Sequence, residues 1–170
     1  MLTRNKGGRA MDPLHVSMTG VHMGERFLLI GCNDKALLSG LAAKVGLSGT
    51  AAVAAFDERQ ARLADKVGKQ VGALIDIRET RGDWPFDAAA FDMIVVDDTD
   101  RAFRTRPGAD QILRHGLGSL RPGGRIEVVT RVSAQEEADV IARLSNAGFK
   151  PVRLLAERDG LRFVEGLRTH

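Results

Sequence analysis

At 170 residues the chain is long enough to bury one sizeable core and too short for two comfortable domains. Its 44% hydrophobic and 28% charged content excludes disordered and fibrous classes, and 25 basic against 22 acidic side chains leave a net charge of +3, too mild to argue for a dedicated nucleic-acid binder. The single cysteine, Cys32, excludes an internal disulfide framework and fits a reducing compartment, with the cytoplasm as the expected location.

No run of about 18 apolar residues is present, so no membrane span is expected, and the opening MLTRNKGGRAMDP lacks the apolar stretch of a secretory signal. Residues 1–20 are expected to form a flexible N-terminal segment and residues 21–170 the folded domain. Apolar runs of strand length then alternate with helical patterns, the mark of βαβ units and a parallel sheet.

The first strand is predicted over Arg26–Gly31 and ends on a glycine. A helix follows over Asp34–Val45, with Asn33 or Asp34 as its N-cap. The second strand is placed at Thr50–Phe56 and the second helix at Glu58–Val71. The third strand is Ala73–Ile77, followed by a loop over Glu79–Ala90 that carries Trp84, Pro85 and Phe86.

The fourth strand is Phe91–Val96, with Asp97, Asp98 and Asp100 just past its end. A helix over Gly108–Leu120 stops at Arg121-Pro122-Gly123-Gly124, where the fifth strand, Arg125–Thr130, begins. Ser133 with Glu136 three residues on forms a capping-box pattern for a helix ending at Gly148. Pro151–Glu157 and Leu161–Leu167 flank Arg158-Asp159-Gly160 and should pair as a hairpin through an Asp-Gly turn.

Five parallel-type strands followed by a hairpin resemble the seven-stranded, class I S-adenosylmethionine (SAM) dependent methyltransferase family. The local matches run from about Glu25 to the C-terminus. FLLIGCND is similar to the family's first motif, and Asp57 resembles its acidic ribose-binding position. DWPFDAAAFDMIVV is similar to its "LPF" and "FD" segment, with a likeness to small-molecule methyltransferases such as those of quinone biosynthesis. LGSLRPGGRIEVV closely follows its "PGG" turn, and NAGFKPV its approach to the sixth strand.

The resemblance implies a three-layer αβα sandwich around a seven-stranded, mostly parallel sheet ending in an antiparallel hairpin, with SAM bound at the carboxyl edge. In open α/β sheets ligands bind there, because loops diverge and helix N-termini point outward. Cofactor contacts are then expected from Gly31, Cys32, Asn33, Asp57, Glu58 and Asp97. Glu79 and Thr80 fall where the family binds the adenine amino group. Asp97 and Asp98 would face the transferred methyl group as the catalytic candidates, and no metal is called for. Arg101 and Arg104, with Arg106 nearby, would bind an acidic small-molecule substrate, because guanidinium forks grip carboxylates in two-pronged fashion. His15 and His22 are candidate general bases for an acceptor of high pKa.

Where the family has a carboxylate and two further glycines around the loop, this chain has Leu29, Asn33 and Lys35. Asparagine tolerates left-handed backbone and can replace glycine, whereas Lys35 adds a cation near a cofactor that is itself a sulfonium. No insertion supplies a lid, so the site is open to a large acceptor, or is covered by a second copy or partner, or belongs to a non-catalytic scaffold. An RNA or protein methyltransferase using the Arg101 to Arg106 loop is a further alternative. An NAD-binding domain fits poorly, because GCNDKAL lacks G-x-G-x-x-G.

Overall fold

Short apolar runs buried on both faces satisfy their backbone groups only by ladder pairing, and four of them, with an edge strand exposed on one face and a terminal hairpin, build one sheet. The computed structural model describes residues 13–170. In chain order it contains α1 (Pro13–Met18), β1 (Arg26–Ile30), α2 (Lys35–Val45), β2 (Thr50–Ala55), α3 (Glu58–Val71), β3 (Ile75–Glu79) and β4 (Phe91–Asp98). These are followed by α4 (Ala109–Ser119), β5 (Leu120–Thr130), α5 (Ala134–Ala147), β6 (Val152–Arg158) and β7 (Leu161–Leu167). The strand order is β3-β2-β1-β4-β5-β7-β6. Strands β1 to β5 pair in parallel, and β7 lies antiparallel between β5 and β6. The expected α/β sandwich with its terminal hairpin is therefore present.

Successive strand residues face opposite sides of the sheet, and each side has its own helices. Phe27, Leu29, Val53, Met93 and Val95 pack with Leu37, Leu41 and Val67 of α2 and α3. Leu28, Ile30, Ile94, Val96 and Ile126 pack with Leu113, Val140 and Leu144 of α4 and α5. Caps set the helix starts: Asp34 accepts from the Ala36 and Leu37 amides, and Ser133 and Glu136 form the predicted reciprocal box.

Three boundaries depart from expectation. Strand β4 continues through Asp97 and Asp98, opposite Val129 and Thr130 of β5, because both carboxylates find donors inside the fold. Strand β5 begins at Leu120, and its Pro-Gly-Gly stretch is absorbed by an irregularity in the β4 pairing. A Cβ on Gly124 would lie 2.9 Å from the Arg121 carbonyl and 3.0 Å from that of Asp92, so only glycine lets the strands close there. Strand β3 lies two residues later than predicted, in register with Ala51–Ala55 of β2, which brings Glu79 into its end.

Helix α1 falls inside the segment expected to be a flexible terminus; residues 1–12 lie outside the described residues. Val16 is buried against α2, where a Cβ on Gly40 would sit 2.3 Å from its Cγ2. His15 Nε2 lies 3.0 Å from Asp159 Oδ2 in the β6–β7 turn, tying α1 to the hairpin.

One buried acid stands without a hydrogen-bond partner. Glu127 of β5 is fully enclosed opposite Glu165 of β7, and neither of its carboxyl oxygens has a hydrogen-bond partner. Burial first, then the charge of Glu165, pushes its pKa up to about 9 from an ordinary 4.5. The folded chain thus keeps a proton that the unfolded chain releases above 4.5, so stability falls as pH rises between these values. Glu127→Gln should leave the melting temperature nearly unchanged at pH 4.5 and raise it by more than about 3 °C at pH 8, the equivalent of about 1 kcal/mol for a chain of this size. Melts across that range check this; a gain independent of pH would remove the ionisation account.

Candidate functional site

Strands β1, β2 and β4 run parallel, so their C-terminal ends share one edge of the sheet. At the end of β1, Gly31 adopts φ +77° and donates its amide to the Ala54 carbonyl at 2.9 Å. A Cβ there would meet Phe56 Cε2 at 3.3 Å and the Asp97 carbonyl at 3.5 Å, so backbone and space both call for glycine.

Beyond Gly31 the chain turns around one carboxylate. Asp97 Oδ2 accepts from the Asn33 and Asp34 amides, each at 2.9 Å, while Oδ1 accepts from the Thr99 amide at 3.1 Å and hydroxyl at 2.6 Å. The side chain is enclosed, and burial raises its pKa against the opposing pull of these bonds. Asp97 braces the loop and presents no free oxygen to a ligand.

Asn33 works through its side chain and does not enter the left-handed region that the sequence suggested. Its Oδ1 accepts from Gln60 Nε2 at 3.0 Å and Arg59 Nη2 at 3.3 Å, and Gln60 Oε1 accepts from the Phe56 amide at 3.0 Å. A carboxamide relay therefore joins the ends of β1 and β2. Cys32 is buried, and its thiol is pushed up to about 12 by burial and then by Asp97 and Asp34, so it is an inert core group.

Asp57 stands exposed at the end of β2 and caps α3 by accepting from the Gln60 amide at 2.8 Å. Glu58 is exposed too and pairs with Arg62 one turn on. Glu79 pairs with Arg81 at 2.6 Å, and the Thr80 amide donates to the Ala55 carbonyl at 2.9 Å.

The remaining sequence candidates lie elsewhere. Asp98 was expected to face the methyl group, but it is wholly buried, accepting from Thr130 Oγ1 at 2.6 Å and the Phe103 amide at 3.0 Å. Burial raises its pKa, and Arg104 lies 3.4 Å away. Arg101 pairs with Glu136 at 2.7 Å, and Arg104 approaches the same Glu136. These two arginines pin the β4–α4 loop to α5 instead of awaiting an acidic substrate. His15 is engaged by Asp159, on the turn between β6 and β7.

A cavity of about 200 Å³ opens beside the ends of β2 and β3, lined by Phe56, Thr80, Trp84, Arg106, Gln111 and His115. The indole of Trp84 stacks on His115, with ring centres 5.6 Å apart and planes 7° apart, and donates to Ser119 Oγ at 2.8 Å. Sequence reasoning flagged Thr80 and the Trp84 loop but missed the opposite wall. Its signal was the stripe Gly108, Gln111, Ile112, His115, which helical spacing puts on one face of α4. Among the described residues no cluster of His, Cys, Asp and Glu could hold a metal, and no helix is long and apolar enough to cross a membrane.

Replacing Asp97 by Ala would strand the Asn33 and Asp34 amides. Since hydrogen bonds to charged groups contribute about 1.5–3 kcal/mol each, Asp97→Ala should cost about 3 kcal/mol in urea unfolding and speed amide exchange in residues 32–36. A cost below about 0.5 kcal/mol would contradict the bracing role.

No protein-family model and no curated protein matches the sequence. Solved structures do match. A SAM-dependent methyltransferase from Aquifex aeolicus superposes with a TM-score of 0.77 at 17% identity, covering 93% of this chain and 90% of that one. A methyltransferase from Pyrococcus furiosus gives 0.74 at 14% identity, covering 99% and 89%. A chain from the complex of the Haloferax volcanii Trm112 methyltransferase activator gives 0.67 at 13% identity, covering 93% and 89%. The chain has the α/β Rossmann-like fold of SAM-dependent methyltransferases.

Proposed function

We propose that this chain binds SAM at the carboxyl edge of its sheet and transfers the methyl group to a small-molecule acceptor. The observation that carries the reading is the juxtaposition of an exposed carboxylate, Asp57, at the end of β2 with a ring-sized cavity bordered by Thr80. At about 200 Å³ that cavity is below the ~300 Å³ of sites for drug-sized ligands and suits one fused ring rather than a whole cofactor.

The donor set fits the group. Asp57 would accept from the ribose hydroxyls, and Thr80 borders the space for the base. The Gly31–Asp34 turn would carry the methionine portion, with Asp34 and Asp97 supplying negative charge near a sulfonium. Asn33 would exchange Arg59 and Gln60 for the ligand. Asp97 acts as a positioning residue through the loop it braces.

SAM supplies an electrophilic methyl carbon, so transfer depends chiefly on holding a nucleophile in line with it. This chain's part is to fix the loop and exclude alternative orientations. The acceptor face carries no insertion between Thr130 and the start of α5, which favours cover by a second copy or a partner protein.

A second reading, a binding module of the same fold without transfer, draws on the closed relay at Asn33 and on the Asn33 and Asp34 amides already taken by Asp97. The RNA or protein methyltransferase reading loses its basis at Arg101 and Arg104, which are paired internally.

Ligand-dependent stabilisation separates these readings. If S-adenosylhomocysteine binds, a hundredfold excess over its Kd stabilises the native state by about 2.7 kcal/mol, a rise of at least about 5 °C in Tm. Asp57→Ala should abolish most of that rise. No shift at millimolar ligand would defeat the cofactor reading, whereas a shift without methyl transfer to any small acceptor tried would favour the silent module.

A further inference from the structure

The sheet has two outer strands, and their free edges differ. Strand β6 carries a register irregularity between Leu154 and Ala156, the kind of bulge that keeps an edge from pairing further. Strand β3 runs in unbroken register with β2, and no strand among the described residues pairs its other side. The Thr80 amide donates to the Ala55 carbonyl of β2, so the backbone groups of Asp76, Arg78 and Thr80 face inward. Strand alternation then turns the amides and carbonyls of Ile75, Ile77 and Glu79 outward, where they meet no partner among the described residues.

The side chains of this edge complement a second copy of themselves. Asp76 and Arg78 stand on one face, half exposed and paired at 3.0 Å. Arg78 is also steadied from within, donating to the Pro85 carbonyl at 2.6 Å with its guanidinium carbon 5.4 Å from the centre of the Phe86 ring. Ile75 and Ile77 stand on the other face. With Ala64 and Gly68 of α3 and the exposed Leu74, they line a trough of about 370 Å³ along the edge.

An antiparallel strand centred on Ile77 sets Ile77 against its own copy and Ile75 against Glu79, so the outward groups of all three residues meet in hydrogen-bonded pairs. Asp76 then lies opposite the second copy's Arg78, and Arg78 opposite its Asp76, at the positions where cross-strand side chains come closest. Opposed residues share a face, so the second copy's Ile77 enters the trough. Centring on Asp76 instead opposes two carboxylates, and centring on Arg78 opposes two guanidiniums, so charge selects the one register.

We propose that this chain forms a twofold dimer through β3, paired antiparallel about Ile77, which joins two seven-stranded sheets into one. The occupant is a second copy because the Asp76 and Arg78 alternation is answered by its own reverse. The dimer stands independently of the cofactor reading. Its register also sets the second copy's Leu74 opposite Thr80, at the border of the cavity beside β2 and β3.

Sedimentation equilibrium of the whole chain should show a reversible dimer. Asp76→Arg and Arg78→Asp each set like charges opposite one another and should weaken it at least about tenfold. Mixed in equal amounts, the two variants are complementary and should recover association as a heterodimer. Ile77→Pro deletes an amide that points away from β2, so it should abolish the dimer while the monomer stays folded by circular dichroism. Hydrogen exchange reads the same contact in the wild type: raising the concentration should slow the amides of Ile75, Ile77 and Glu79 and leave those of Asp76 and Arg78, already bonded to β2, little changed.

A wild-type chain that stays monomeric at submillimolar concentration would overturn the proposal. A dimer that survives Ile77→Pro and both charge reversals would place the interface elsewhere and overturn it too. Variants that weaken singly but do not associate when mixed would overturn the register about Ile77. Where a variant fails to fold, exchange decides, and protection of Ile75, Ile77 and Glu79 that ignores concentration would overturn the contact.

Discussion

The carboxyl edge of this sheet depends on the burial of one carboxylate. Asp97 gathers two amides from the β1–α2 turn and two donors from Thr99, so the ends of β1 and β4 are fastened at a point where parallel strands would otherwise splay into loops. A charge held there costs desolvation, which four hydrogen bonds offset only in part. Gly31 must then turn tightly over the Asp97 carbonyl, Phe56 packs against that glycine, and Asn33 reaches across to Gln60. The geometry of any ligand site on this edge follows from that sequence of constraints.

Asp98, the next residue, performs a matching task on the other face. It points toward Thr130 and Phe103, consistent with the alternation of side chains along a strand, and so anchors the loop that leads into α4. Two adjacent carboxylates thus fasten two different loops. Arg101 and Arg104 of the second loop are consumed in the same fastening, through Glu136 and Asp98.

Much of the architecture was legible in the chain because periodicity and punctuation are local signals. The unbroken run at β1, the Ser133 capping box and the Asp-Gly turn between β6 and β7 each state their structure within a few residues. The site was less legible. Whether Asp97 lies in a loop or in a strand is decided by donors 63 and 64 residues away in sequence, and no local pattern records them. Arg101, Arg104 and Arg106 look alike as a charge run, but two meet carboxylates and the third meets an aromatic ring. Helix α1 escaped notice because its six residues are held by burial of Val16 against Gly40 rather than by helix propensity.

The place of β7 between β5 and β6 has a consequence for how the sheet is completed. Until Leu161–Leu167 inserts, β5 carries an open row of backbone donors and acceptors, and β6 has no neighbour to join. The β5 side of the sheet therefore closes only when β7 arrives, and that same step buries Glu127 against Glu165 and brings Asp159 to His15. Because β7 follows β5 by some thirty residues in the chain, the β5 edge stays open after β1 to β4 have been made, and chaperone contact in that interval would act on β5.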